Sequence, residues 1–137
     1  KKGQFASPNI MINAAKKVES TGNKQVWITE RGTFFGYNDL VVDFRNLIII
    51  AQAGYKTIYD ATHSLQKPAI GNESGGYSEF IPDLARAAVA VGIDGLFFET
   101  HPNPSQAASD KETQLPLEMA NDFINSIIKL DKFVKSL

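Results

Sequence analysis

Three short apolar runs in this 137-residue chain each end in groups able to do chemistry. Residues 26–29 run into Glu30 and Arg31, residues 57–59 into Asp60, Thr62 and His63, and residues 96–98 into Glu99, Thr100 and His101. Parallel α/β architectures place their active sites at the carboxyl ends of their strands. Charges also mark strand ends that simply enter solvent, and the pattern leaves both readings open. His63, Glu99 and the nearby Asp110 form a possible nitrogen and oxygen donor set for a divalent cation such as zinc, iron(II) or manganese. Their spacing matches no compact metal motif, so ordinary hydrogen-bonded polar residues are the competing reading. Lys1, Lys2 and Arg31 are candidate anion binders, because arginine presents a planar fork and lysine a point charge. If Lys1 and Arg31 end adjacent strands they converge on one pocket. Lys2 is expected on a solvated surface.

The elements that must position these groups follow from periodicity. Ser7-Pro8 reads as a cap and first turn, and Met11, Ala14, Ala15 and Val18 recur at helical spacing before Gly22. Strands are expected at 26–29, 57–59 and 95–98. Buried helices are expected at 40–53, ended by Gly54, and around Ile81, Leu84, Ala85 and Ala88, closed by Gly92. Ala120, Phe123, Ile124, Ile127 and Ile128 form the apolar stripe of a last helix, which Lys129, Lys132 and Lys135 solvate. Residues 64–76 hold Pro68, Gly71, Gly75 and Gly76 without periodicity, which predicts a functional loop, a lid.

Composition limits the function classes. The chain is 43% hydrophobic and 21% charged, suited to one domain with a real core. With no cysteine, it holds no disulfide framework, no thiol nucleophile and no zinc site on its own Cys ligands. Fourteen basic and 15 acidic residues give a net charge of −1, so no global field draws nucleic acid or an anionic membrane. The longest aliphatic block, residues 47–51, is too short to span a bilayer. No secretory segment is expected before Lys1, and a soluble, cytoplasmic protein is expected. The sequon at Asn72 is therefore read as chance.

Strands alternating with helices predict a parallel sheet, and continuous apolar strands predict burial on both faces. Only three strands are present, with residues 1–5 resembling the exit of a fourth. A (β/α)8 TIM barrel takes about 250 residues, so residues 1–137 are expected to form the C-terminal half of one such domain, ordered only within a longer polypeptide or with a complementary chain.

Several blocks, in order, resemble one family: KKGQF at 1–5, TERGTFFGYNDLVVDFR at 29–45, DATHS at 60–64, SGG at 74–76, ETHP at 99–102 and SDKETQLPL at 109–117. The chain is similar to 3-deoxy-D-manno-octulosonate 8-phosphate (Kdo-8-phosphate) synthases. The resemblance implies a TIM barrel, a homotetramer, and condensation of phosphoenolpyruvate with D-arabinose 5-phosphate for lipopolysaccharide precursor synthesis. It implies that Lys1 contacts phosphoenolpyruvate and Arg31 holds its phosphate. His63, Glu99 and Asp110 would ligate a metal, His63 would border the phosphoenolpyruvate, and Gln66 would belong to the lid. His63 and Asp110 would carry the catalytic roles. Further substrate lysines and an Arg-Ser pair for the arabinose phosphate would lie in the other half.

The family has metal-dependent and metal-independent branches. Ser109-Asp110 followed by Thr113-Gln114 resembles the metal-dependent pattern, with Glu112 standing where serine is usual. The cysteine that serves as fourth ligand in that branch would lie upstream of Lys1. A 3-deoxy-arabino-heptulosonate 7-phosphate synthase is the nearest alternative in chemistry, and the block at 29–45 argues against it. A non-catalytic barrel fragment serving in assembly is the alternative in class.

Overall fold

The structure is a computed structural model that describes residues 1–35, 38–68 and 75–137. Helix α1 spans Pro8–Glu19, and strand β1 follows at Trp27–Glu30. A short hairpin pairs β2 (Thr33–Phe34) with β3 (Leu40–Val41), and α2 covers Arg45–Gln52. Next come β4 (Lys56–Asp60), a 3-10 turn at His63–Leu65, β5 (Gln66–Lys67) and β6 (Gly75–Gly76). Helix α3 spans Ile81–Val91, β7 Gly95–Phe97, β8 Thr100–His101, β9 Leu115–Pro116 and α4 Leu117–Val134.

β1, β4 and β7 form one parallel sheet in that order, with Ile28 opposite Thr57 and Tyr59 opposite Leu96. The expected α/β class with a parallel sheet is therefore observed, and the described sheet is open rather than closed into a barrel. Its two faces differ. Ile28, Glu30, Thr57 and Tyr59 are buried toward the helices, whereas Trp27 is 66% and Phe97 41% exposed on the other face. Continuous apolar strands predict burial on both faces; among the described residues the second face is covered only in part, where Lys1 and His63 lie beside Asp60 and Phe97. Two clusters build the core. Ile12, Ala15, Ile28, Ile50 and Tyr55 pack α1 and α2 on β1, while Leu47, Tyr59, Ile81, Ala85, Ala88, Leu115 and Phe123 join α2, β4, α3 and α4.

Local signals explain most boundaries. Ser7 Oγ accepts the N–H of Ile10 at 3.3 Å, and Pro8 fills the first turn of α1, where a missing N–H leaves nothing unpaired. Four expectations need correction. The helix foreseen from residue 40 begins at Arg45, because Leu40 and Val41 pair with Phe34 and Thr33 across a turn in which Asn38 takes φ 60°. Residues 1–5 form no strand, although the N–H of Lys2 donates to Thr29 O at 2.8 Å along the edge of β1. Ala14 and Val18 are exposed, and Ile12 takes the inward position instead. On α4 only Ala120 and Phe123 of the stripe are buried; Ile124 and Ile128 are largely exposed, since α3 covers one narrow strip.

The loop expected at 64–76 is structured where it is described. Gln66 pairs with Gly76 and Lys67 with Gly75 in an antiparallel hairpin, and the Lys67 ammonium lies 3.6 Å from the Tyr77 ring centroid. Residues 69–74, including the sequon at Asn72, lie outside the described residues. Gly76 has a steric role: a Cβ there would fall 2.0 Å from Thr113 Cγ2. That contact, with the N–H of Ser78 donating to Glu112 O at 3.0 Å, seats the hairpin against the loop that carries Asp110.

Candidate metal and anion site

β4 ends in Asp60, whose side chain is buried at the sheet's carboxyl edge. Its Oδ1 accepts the backbone N–H groups of Thr62 at 3.0 Å and His63 at 2.8 Å, which folds the chain into the 3-10 turn and brings the imidazole back over the strand end. Asp60 Oδ2 lies 2.9 Å from His63 Nδ1 and 2.6 Å from Lys1 Nζ. Lys1 Nζ is also 2.9 Å from Nδ1, and its side chain remains 43% exposed.

The other ring nitrogen faces the acids. His63 Nε2 stands 3.6 Å from Glu99 Oε1, and one donor atom from each of His63, Glu99 and Asp110 falls within 4.8 Å of the others. Glu99 follows β7. Its N–H donates to Thr62 Oγ1 at 2.7 Å, its carbonyl accepts from Leu115, and its Oε2 accepts from Gln114 Nε2 at 3.3 Å. Asp110 sits in the loop before β9 with φ 54°, a left-handed conformation that aspartate tolerates better than most residues. One imidazole nitrogen and two carboxylates are hard to borderline donors suited to zinc, iron(II) or manganese. The donor set fits a divalent cation.

Arg31 lies beyond the end of β1. Its Nη2 donates to Gln66 Oε1 at 2.6 Å and, more weakly, to His63 O at 3.4 Å. Its Nε is buried with no hydrogen-bond partner, an orphaned donor of the kind an anionic ligand satisfies. Gln66 Nε2 donates in turn to Asp110 Oδ1, so the amide links the arginine to a metal-capable carboxylate.

The residues expected at the site are therefore together. Lys1 and Arg31 both reach His63, Gln66 joins Arg31 to Asp110, and His63, Glu99 and Asp110 cluster. Lys2 is the exception. Its side chain is fully buried, with Nζ donating to Gly32 O at 2.8 Å and Thr33 Oγ1 at 2.9 Å and lying 3.3 Å from Glu30 Oε1. Glu30 also accepts from Gly32 N–H at 2.6 Å and Asn46 Nδ2 at 3.0 Å. This pair fixes the backbone on both sides of Arg31 and is not a solvated surface.

Sequence reasoning gave no role to Asp60, Thr62 or Gln114. Position at a strand end was a signal for the first two, and Gln114 entered only as part of the motif at 109–117. Tyr59, beneath them, is pushed up to about 12, chiefly by burial, against the opposing hydrogen bond to Ser64. Its hydroxyl stays neutral and holds Ser64 in the turn.

Parallel strands delivering a metal-capable triad rimmed by lysine and arginine define a β/α protein whose site lies at the carboxyl ends of the sheet. The sequence profile of the DAHP synthetase I family matches residues 1–136, and the chain belongs to that family. Among curated relatives, the 2-dehydro-3-deoxyphosphooctonate aldolase of Francisella tularensis subsp. novicida (strain U112) is 50% identical over 137 residues, 99% of this chain and 50% of that protein. Proteins of the same name are 50% identical over 137 residues in Acidithiobacillus ferrooxidans (strain ATCC 53993 / BNL-5-31), covering 99% of this chain and 49% of the relative. In Syntrophotalea carbinolica (strain DSM 2380 / NBRC 103641 / GraBd1) the figure is 48% over 136 residues, covering 98% and 49%. Octonate aldolase is another name for the Kdo-8-phosphate synthase, so the resemblance drawn from the motifs is borne out. The chain spans about half the length of the curated relatives it matches. No helix among the described residues is long and apolar enough to cross a membrane.

Proposed function

We propose that the chain is the C-terminal half of a (β/α)8 barrel that condenses phosphoenolpyruvate with D-arabinose 5-phosphate. The products are 3-deoxy-D-manno-octulosonate 8-phosphate and inorganic phosphate. One observation carries this reading: His63, Glu99 and Asp110 cluster beside Lys1 and Arg31 at the carboxyl ends of parallel strands. The exposed inner face with Trp27 and Phe97 supports completion by an N-terminal half that covers it.

In the reaction C3 of phosphoenolpyruvate attacks the aldehyde carbon, water adds at C2, and the C2–O bond to phosphate breaks. Arg31 offers its buried Nε and Lys1 its exposed ammonium to the phosphate, neutralising the charge that departs with the leaving group. His63, Glu99 and Asp110 would hold a divalent cation, which polarises substrate oxygens as a Lewis acid. Gln66 orients Arg31 and Asp110 together, and the hairpin it begins borders the substrates as part of a lid. The triad favours the metal-dependent branch, with the fourth ligand in the other half. A cytoplasmic homotetramer completes the proposal.

The test is phosphate release by the full-length protein with arabinose 5-phosphate and with erythrose 4-phosphate, before and after chelation. Release with arabinose 5-phosphate that chelation abolishes and added metal restores is expected. Preference for erythrose 4-phosphate would assign the heptulosonate reaction, no release with either sugar would support the assembly role, and full activity after chelation would overturn metal dependence.

A further inference from the structure

We propose that Asp60 is a positioning residue that fixes the His63 imidazole as its Nδ1–H tautomer, leaving the Nε2 lone pair for a divalent cation. The inference rests on the metal reading above and adds a residue to it.

Hydrogen-bond valence carries the argument. An ionised carboxylate offers about four lone-pair sites and no proton. Four donors meet Asp60: two backbone N–H groups at Oδ1, the Lys1 ammonium at Oδ2, and the imidazole, which lies 2.9 Å from Oδ2 and 3.1 Å from Oδ1. Its capacity is used inward, so it is not itself a ligand, although it lies beside the triad. Two acceptor-only oxygens face Nδ1, at 2.9 and 3.1 Å. The Lys1 ammonium, 2.9 Å from the same nitrogen, has its shorter contact with Oδ2 at 2.6 Å. The carboxylate is therefore assigned as the partner of the ring and Nδ1 as the protonated nitrogen. Nε2 is then left to face Glu99 and Asp110. Metal-ligating histidines commonly hold their second nitrogen this way, through a carboxylate that sets both tautomer and ring orientation. Lys1 has a matching part. Its ammonium donates to Oδ2 at 2.6 Å, and a lysine offers two further protons to an incoming anion. One carboxylate thereby ties the anion-facing lysine to the cation-facing histidine.

The geometry also separates this role from simple folding. Asp60→Asn keeps an oxygen for the two backbone N–H groups at the Oδ1 position, which those donors select. The amide nitrogen then occupies the Oδ2 position, the nearer of the two to Nδ1, while the retained oxygen is already taken by two backbone N–H groups. Donation from the amide to Nδ1 shifts the ring proton onto Nε2, capping the atom the cation needs. Asp60→Ala removes both the turn acceptor and the imidazole partner but leaves the ring free to choose its tautomer. A purely structural role predicts that Ala is the worse variant; a tautomer role predicts that Asn is at least as damaging.

Binding of Mn2+ to the full-length protein, followed by titration calorimetry without substrate, tests this. The expected result is a loss of affinity of about 10- to 100-fold or more in Asp60→Asn, equal to or greater than the loss in Asp60→Ala. Binding within threefold of the unsubstituted protein in Asp60→Asn, or a loss confined to Asp60→Ala, would overturn the inference while leaving the metal reading intact. Failure of the unsubstituted protein to bind Mn2+ would overturn both. In the zinc-loaded, histidine-15N-labelled protein, the ring should show a proton on Nδ1 that disappears in His63→Gln. Its absence would overturn the inference whether or not the Asp60 variants fold.

Discussion

Lys1 and Lys2 are neighbours in the chain, and each meets a carboxylate at the end of a parallel strand, yet their surroundings differ at almost every point. Lys2 Nζ is enclosed by Gly3 O, Gly32 O, Thr33 Oγ1 and Glu30, and neither charged side chain of the pair is exposed. Lys1 pairs with an equally buried acid, Asp60, but keeps its ammonium partly in the open, 5.5 Å from the Phe97 ring centroid. The first pair has spent its hydrogen-bonding capacity on the backbone and can only hold shape. The second has donors left over, which is what ligand binding requires. Burial of one partner is common to both, so burial alone does not distinguish a framework ion pair from a working one. Unused valence does.

The largest effect expected from breaking this contrast is in Lys2→Met. It leaves the Glu30 carboxylate buried without its cation, a loss of about 3–5 kcal/mol in denaturant unfolding of the full-length protein. A loss below about 1 kcal/mol would show that the two pairs are energetically alike. Lys1→Met comes next and should act on binding instead. Losing a hydrogen bond from a charged donor corresponds to about 1.5–3 kcal/mol, so phosphoenolpyruvate affinity should fall at least tenfold by calorimetry. Its unfolding midpoint should fall less than that of Lys2→Met, because Asp60 keeps its two backbone N–H donors and water can reach the place the half-exposed ammonium leaves. A fall as large as that of Lys2→Met with unchanged affinity would reverse the assignment.

A surface pair at the opposite end of β4 sets the lower limit. Partial burial pushes the Asp94 carboxyl up, but the Lys56 ammonium at 2.7 Å and the Thr57 N–H outweigh it, and the group ends below its ordinary value. A depressed folded-state value means this stabilisation is complete above the unfolded-state pKa of about 3.9 and is lost as pH falls through the folded value. Because the pair is solvated, Lys56→Met should change stability by less than about 1 kcal/mol near neutral pH. It should also reduce the acid-side slope of stability against pH. An unchanged slope would remove Asp94 from the acid response.

The same contrast explains what was legible in the sequence. Strand ends carrying Arg31, His63 and Glu99 could be read because apolar runs stop abruptly at ionisable residues, and the α/β topology follows from the alternation of those runs with helical spacing. Asp60 stood in plain view without a role, since a role depends on which lone pairs the fold occupies. Two adjacent lysines look alike in a string of letters. Only the turn at Gly32 and Thr33, folding back over the chain, decides that Lys2 is enclosed. The hairpin at 33–41 was hidden because Leu40, Val41 and Val42 extend the apolar character of the helix that follows them. The reach of Gln66 to Arg31 and Asp110 joins residues 35 and 44 positions apart, beyond any local pattern.

Asp110 is screened twice, by its donor oxygen and by a backbone at φ 54°. Glutamate would keep the charge but adopts that conformation poorly, glycine would suit the backbone but lacks the donor, and asparagine would meet the backbone while surrendering the anion. Few of the twenty residues pass both screens. A search for variants at this position should therefore return almost none that retain metal, and a substitution judged conservative by charge alone will fail there for reasons of shape.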